Sequence, residues 1–436
     1  MSATTTPLVI TGVSLYGDTT ADLVIAKGEI VSLSAADAPA KARTLDGKGL
    51  VALPGLVDLH THLREPGKEA AETIETGSRS AAAGGYVAVH AMANTTPVAD
   101  SAGVVEQVWN RGREVGLVDV FPVGAVTVGL AGEHLAELGA MALSAARVRV
   151  FSDDGMCVHD PVVMRRALEY VKTFDGVIAQ HAQDPRLTEG SQMNEGIVSA
   201  ELGLAGWPAV AEEAIVARDC LLAEHVGSRV HILHLSTSRS VEIVRWAKAR
   251  GVTVTAEATP HHIALTDDNA RGYDARFKVN PPLRTQEDVE AVHAGIVDGT
   301  IDVIGTDHAP HADEDKDCEW AAAAFGMIGL ETALGVVQKT LVETGKVTWR
   351  DVARLMSEEP ARIGRIEGHG RPLAAGEPAN VTLVDPKRAW SVDPAAMASR
   401  SHNSPFGGME LPGRVVATIL RGTVTYADES MRGSLA

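Results

Sequence analysis

The residues best suited to chemistry in this 436-residue chain are histidines and aspartates that close apolar runs. His60-Thr61-His62 ends one such run; the pair Asp153-Asp154, then His181, His234 and Asp307, end four others. Successive residues of a strand face opposite sides, so His60 and His62 share a face and can bind one ion together. An H-x-H alone is a weak signal among 16 histidines, and a lone His181 or His234 is more often a packed strand histidine than a ligand. The signal is the coincidence of five strand ends that all finish in a metal-ligand residue. Four imidazoles and two carboxylates suit zinc, in numbers sufficient for two ions sharing a bridging group. His231 and His234 lie three apart and so face opposite ways, which leaves at most one of them as a ligand. His90 and His225 are assigned structural places.

Arg64 follows His62 by two residues, on the same face if the strand continues, and a guanidinium there can clamp a carboxylate in bidentate fashion. Pro66-Gly67 sets a turn directly after it. Asn94 in MANTTP and Asn280 in KVNPPLR follow the second and seventh runs beside proline-marked turns, where each reads as a site residue or as a plain turn residue.

The elements that must position these groups are short Val- and Ile-rich runs alternating with Ala-, Glu- and Arg-bearing segments. Eight runs stand out, at 50–60, 86–92, 118–126, 147–153, 176–181, 229–235, 252–258 and 301–307. Each precedes a candidate helix, as in SVEIVRWAKARG (240–251), where Val241, Ile243, Val244 and Ala247 fall on one side and a glycine closes the end. Eight strand-then-helix units predict an α/β fold, a (β/α)8 barrel over 57–371, with an open doubly wound sheet as the competing architecture. The flanks, 1–56 and 372–436, alternate apolar and polar residues and are expected to meet as one small β-sandwich.

Charge and composition narrow the partners. The 39 basic and 57 acidic side chains leave a net charge of −18, which disfavours nucleic acid and anionic membranes. Cys157, Cys220 and Cys318 form no C-x-x-C pair and suggest neither a disulfide framework nor a thiolate site. The start of the chain lacks the basic and apolar regions of a leader, and no run is long enough to span a membrane, so a cytoplasmic protein is expected. ADEDKDCEW (312–320) reads as a solvated acidic loop and not as a metal site.

In order along the chain, DLHTHLREPG, MANTTP, FSDDG, QHAQD, LGLAGWPAVAEE, HLSTS, KVNPPLR, GTDHAPH and FGMIGLET resemble the bacterial class I dihydroorotases of the amidohydrolase superfamily. The resemblance implies a barrel with a small β-sandwich, and reversible hydrolysis of the ring amide of dihydroorotate to N-carbamoyl-L-aspartate in pyrimidine synthesis. It implies two zinc ions, one held by His60, His62 and Asp307, the other by His181 and His234, bridged by Asp154 and a hydroxide. Asp154 is preferred to Asp153 because the family's bridging carboxylate immediately precedes the glycine, here Gly155. Many relatives bridge with a carboxylated lysine, which this chain cannot place on strand four, having no lysine between Lys68 and Lys172. With that ligand set, Asp307, bound to one zinc and facing the water, is the natural acceptor of its proton and the donor to the departing amide nitrogen. The resemblance gives Arg64, Asn94 and His311 to the substrate carboxylate, Asn280 with the Phe325-Gly326 backbone to the pyrimidine ring, and His62 a substrate contact besides its ligand role. Ala93 departs from the family's usual proline but removes no functional group. The family suggests a homodimer, with association with aspartate transcarbamoylase as a further partner expectation. Hydantoinase, dihydropyrimidinase and allantoinase are the neighbouring readings, against which Arg64 and the missing lysine argue. An inactive dihydroorotase-like scaffold subunit is the reading from another class, against which the filled ligand positions argue.

Overall fold

A computed structural model describes residues 6–435; the first five residues, part of the start inspected for a leader, lie outside them. Eight parallel strands follow one another: β1 (Leu56–Thr61), β2 (Tyr86–Ala91), β3 (Asp119–Pro122), β4 (Val150–Phe151), β5 (Val177–Gln180), β6 (Val230–Ile232), β7 (Val254–Ala258) and β8 (Val303–Ile304). Ladders join β1 to β3 and β4 to β8. The two sheets are closed into a ring by single parallel bridges, Gly124 to Phe151 and Thr61 to His308. Closure decides for the (β/α)8 barrel over the open sheet.

The strands are continuous apolar runs because both of their faces are buried, as a parallel sheet wrapped by helices requires. One face fills the barrel with Leu59, Val123, Val150, Val177, Leu233 and Val303. The other packs on helices such as α1 (Ile74–Ala83), α2 (Val210–Val226) and α3 (Ser238–Ala249). In α3 Val241, Val244 and Ala247 are buried and Ile243 packs at the edge of the core, the face the spacing predicts.

Both ends of the chain meet in one eight-stranded sheet outside the barrel. Leu8–Leu15 runs antiparallel to Thr19–Ala26 and parallel to Val51–Pro54, which in turn pairs with Val381–Asp385. The apolar run at 50–60 is therefore two strands: Val51–Pro54 belongs to the outer sheet, and the barrel begins after Gly55. The carboxy-terminal flank is not sheet throughout, for residues 398–406 leave it and return to the barrel. The segment read as a solvated acidic loop is solvated only in part, since Lys316 and Trp320 within it are buried. Among the described residues no helix is long and apolar enough to cross a membrane, and the three cysteines are free.

Candidate active site

At the carboxyl ends of the barrel strands, His60, His62, Asp154, His181, His234 and Asp307 converge, all of them buried. The Asp154 carboxylate is the hub. Its Oδ1 lies 3.5 Å from His60 Nε2, 3.2 Å from His181 Nδ1 and 3.4 Å from His234 Nε2, and its Oδ2 lies 3.1 Å from His62 Nε2. Asp307 Oδ1 is 3.3 Å from His60 Nε2 and 3.2 Å from His62 Nε2. Asp153, the alternative carboxylate, is turned away and bonded to the backbone N–H groups of Val126 and Thr127 at 2.7 and 3.0 Å and to the Thr127 hydroxyl.

Regular alternation does not account for this convergence. The β1 ladder carries an extra residue between Asp58 and Thr61. This bulge lets Leu59 fill the barrel while His60, its neighbour, joins the polar cluster, and such re-aiming of a side chain is common beside active sites. Arg64, His234 and Asp307 have φ of +63°, +28° and +47°, in the left-handed region that non-glycine residues seldom enter. Strand pairing ends at Ile232 and the positive φ turns His234, whose ring joins the Asp154 hub while its backbone N lies 3.3 Å from Glu257 Oε1. His231 bonds Thr255 Oγ1 at 2.8 Å and does not face the Asp154 hub. His90 stacks on Phe121, and burial pushes its pKa down to about 4; His225 is exposed.

Two orienting residues escape a reading based on strand ends. Glu257 is fully buried and accepts the His60 Nδ1 proton at 2.9 Å, which leaves Nε2 directed at the two aspartates. A carboxylate behind a metal-binding imidazole fixes its tautomer and raises its basicity. Gly305 gives it room, since a Cβ there would come within 2.2 Å of Glu257 Oε2. Gln183 Oε1 performs the same service for His181, at 2.7 Å from Nε2, and also accepts from Asn280 Nδ2 at 3.0 Å. Asn94 Oδ1 sits 2.9 Å from His62 Nδ1, so its expected substrate contact is joined by an orienting one. Glu257→Gln is expected to weaken metal affinity about 10–100-fold in chelator competition. Unchanged affinity would reduce Glu257 to packing.

The donor set fits a divalent cation. Two groups, His60-His62-Asp307 and His60-Asp154-His234, hold their ligand atoms within 4.8 Å of one another, and His60 Nε2 is buried without a hydrogen-bond partner. Burial opposes charge on His60, yet Asp154, Asp307 and Glu257 outweigh it and push its pKa well up. Burial would likewise raise Asp307, but His60 and His62 hold it below the usual carboxylate range. A cluster that draws positive charge inward against desolvation is the electrostatic setting of a cation site.

Beside this cluster Arg64 is buried and donates from Nε to Pro310 O at 3.0 Å, with Nη2 3.5 Å from His311 Nε2. His311 Nε2 donates to Phe325 O at 2.8 Å; burial, then the neighbouring Arg64, push its pKa down to about 3, so the ring is neutral. Asn280 Oδ1 is buried with no partner, an acceptor left for a ligand N–H.

The profile of the Dihydro-orotase-like family matches residues 49–240. Over 421 residues, 96% of this chain and 98% of the relative, the sequence is 65% identical to a dihydroorotase of Streptomyces coelicolor. The chain belongs to the dihydroorotase family. A dihydroorotase of Mycobacterium tuberculosis is 56% identical over 98% of this chain and 99% of its own length. Among solved structures, the L-hydantoinase of Arthrobacter aurescens superposes with a TM-score of 0.84 at 25% identity, covering 96% of this chain and 95% of its own. A D-hydantoinase gives 0.85 at 20% identity, covering 97% and 96%. The hydantoinases share the fold, whereas the full-length likeness at high identity is to dihydroorotases, so neither the hydantoinase reading nor the scaffold reading is favoured.

Proposed function

We infer that the chain is a dihydroorotase that interconverts dihydroorotate and N-carbamoyl-L-aspartate, with two zinc ions as its cofactor. The observation that carries the reading is a buried ring of four imidazoles around Asp154, next to a buried arginine, in a member of this family. His60, His62 and Asp307 would hold one ion, His181 and His234 the other, and Asp154 would bridge them. Bound there, zinc supplies an acidified water and polarisation of a carbonyl.

The remaining work falls to side chains. Arg64, with Asn94 and His311, takes the substrate carboxylate; its Nε is committed to Pro310 O, and the fork of terminal nitrogens is left for an anion. Asn280 meets the ring through its unpartnered Oδ1, together with the Phe325-Gly326 backbone. Glu257, Gln183 and Asn94 hold three of the imidazoles, His60, His181 and His62, in one tautomer so that their free nitrogens stay aimed inward. Asp307 accepts the proton of the attacking water and returns it to the departing amide nitrogen.

Incubation with L-dihydroorotate, and separately with N-carbamoyl-L-aspartate, tests the reading: each is expected to yield the other, and no interconversion in either direction would contradict it. Ring closure consumes a carboxylate and a proton, so acid is expected to favour the ring and alkali the open form. An equilibrium ratio flat across that range would mean a different reaction. Arg64→Met is expected to weaken substrate binding by about 1.5–3 kcal/mol, the scale of a charged hydrogen bond. Unchanged KM and kcat/KM would take Arg64 out of the pocket. The same reading takes the chain as a cytoplasmic homodimer able to associate with an aspartate transcarbamoylase, which sedimentation of the chain alone and with that partner checks.

A further inference from the structure

The groups expected to hold the carboxylate and ring, His311 and Phe325-Gly326, stand at the two ends of a loop after β8, and neither end lies within a regular strand or helix. Something must keep them together. His311 Nε2 touches Phe325 O at 2.8 Å, and at Gly326, with φ +141°, a Cβ would fall 2.8 Å from the same imidazole nitrogen, so the two ends are in tight register.

Asn403 sits between them, although it comes from the carboxy-terminal flank. Its side-chain amide is buried, donates from Nδ2 to Ala309 O at 3.0 Å and to Gly326 O at 3.2 Å, and accepts from His311 N at Oδ1 at 3.2 Å. Its backbone carbonyl accepts from Ile328 N at 3.2 Å. A carboxamide provides two donors and an acceptor on one planar group, and here all of them are spent on the two ends of one loop. An aspartate of the same shape would face two carbonyl oxygens with no proton to offer them.

The segment that delivers Asn403 is itself tied to the barrel. Ser399 Oγ donates to Glu72 Oε2 at 2.5 Å, Arg400 N to Glu72 Oε1 at 3.1 Å, and Ser401 Oγ to Ala71 O at 2.6 Å. Glu72 also faces His308 Nε2 at 3.3 Å, the residue next to Asp307. Phe406, almost fully buried, anchors the far side.

We propose that Asn403 is a positioning residue for the reaction: its amide locks His311 to the Phe325-Gly326 backbone and thereby sets how tightly the substrate is held. The proposal rests on the dihydroorotase reading. The consequence is a binding effect, because the loop contacts carboxylate and ring while the metal cluster and Asp307 are held by other residues.

Steady-state kinetics with L-dihydroorotate on wild type and Asn403→Asp, each with metal content and Tm measured, test it. KM is expected to rise about tenfold or more, the scale of losing buried hydrogen bonds. The drop in kcat should be smaller than the rise in KM, with metal per chain unchanged. Should Asn403→Asp fail to fold, Asn403→Ser, which keeps one donor and adds no charge, gives the same comparison. A folded, metal-replete variant with lowered Tm but KM within about twofold of wild type would leave Asn403 a stability role only and overturn the proposal. Wild type inactive on dihydroorotate would overturn the functional reading, and this inference with it.

Discussion

Asp307→Asn is expected to lose about 10²–10⁴-fold in kcat, the range of a positioned general acid–base group, while retaining most of its metal. The substitution is close to isosteric, and asparagine is among the residues that tolerate the left-handed conformation Asp307 adopts at φ +47°, so the backbone turn survives it. His60 and His62 keep their Nε2 atoms directed inward through Glu257 and Asn94, on which the substitution has no bearing. What disappears is an ionised oxygen 3.2–3.3 Å from both imidazoles that can take up a proton and give it back. The loss should appear in both directions, since ring closure runs the same transfers in reverse, Asp307 taking a proton from the nitrogen and giving it to the departing hydroxide. Near-wild-type turnover in a metal-replete variant would remove Asp307 from this role.

Asp154→Ala is expected to act earlier, on the metal itself. Among the described residues no other side chain touches all four imidazoles, and removing an orienting residue alone costs about 10–100-fold in metal affinity, so loss of the central carboxylate should cost at least about 10² and release at least one ion. Activity should fall with metal content and return only in part at saturating zinc. Asp153→Ala is the comparison: its carboxylate serves Val126 and Thr127, so it should lower stability by about 1–3 kcal/mol, the cost of stranding buried donors, with the metal kept. Two ions retained in Asp154→Ala and lost in Asp153→Ala would make Asp153 the bridge.

Much of the site is legible in the sequence because metal ligands are few in type and strand ends are easy to locate. His60, His62, Asp154, His181, His234 and Asp307 are found one strand at a time and lie together in the structure. What alternation misses is local irregularity. The bulge before Thr61 and the positive φ of His234 alter which way a side chain points, and neither leaves a mark in a pattern of period two. Glu257, Gln183 and Asn403 are missed for another reason. Glu257 meets His60 across 197 residues through barrel closure, Asn403 meets the loop after β8 across 92 residues through the return of the carboxy-terminal flank, and Gln183 lies two residues from His181 but beyond the strand end, where no alternation applies. Closure rests on two single-residue bridges, too little for any run of residues to announce. The split of the run at 50–60 belongs with these, because both halves are equally apolar and only their partners differ.

The most direct test of the account is turnover of L-dihydroorotate beside hydantoin, dihydrouracil and allantoin, on protein as purified, after chelation and after zinc is restored, with metal per chain determined at each stage. Hydrolysis of dihydroorotate that vanishes on chelation, returns as the second ion binds, and is not matched by the rings lacking a carboxylate is the predicted result. Turnover confined to the neutral rings, or turnover of dihydroorotate indifferent to metal, would contradict it.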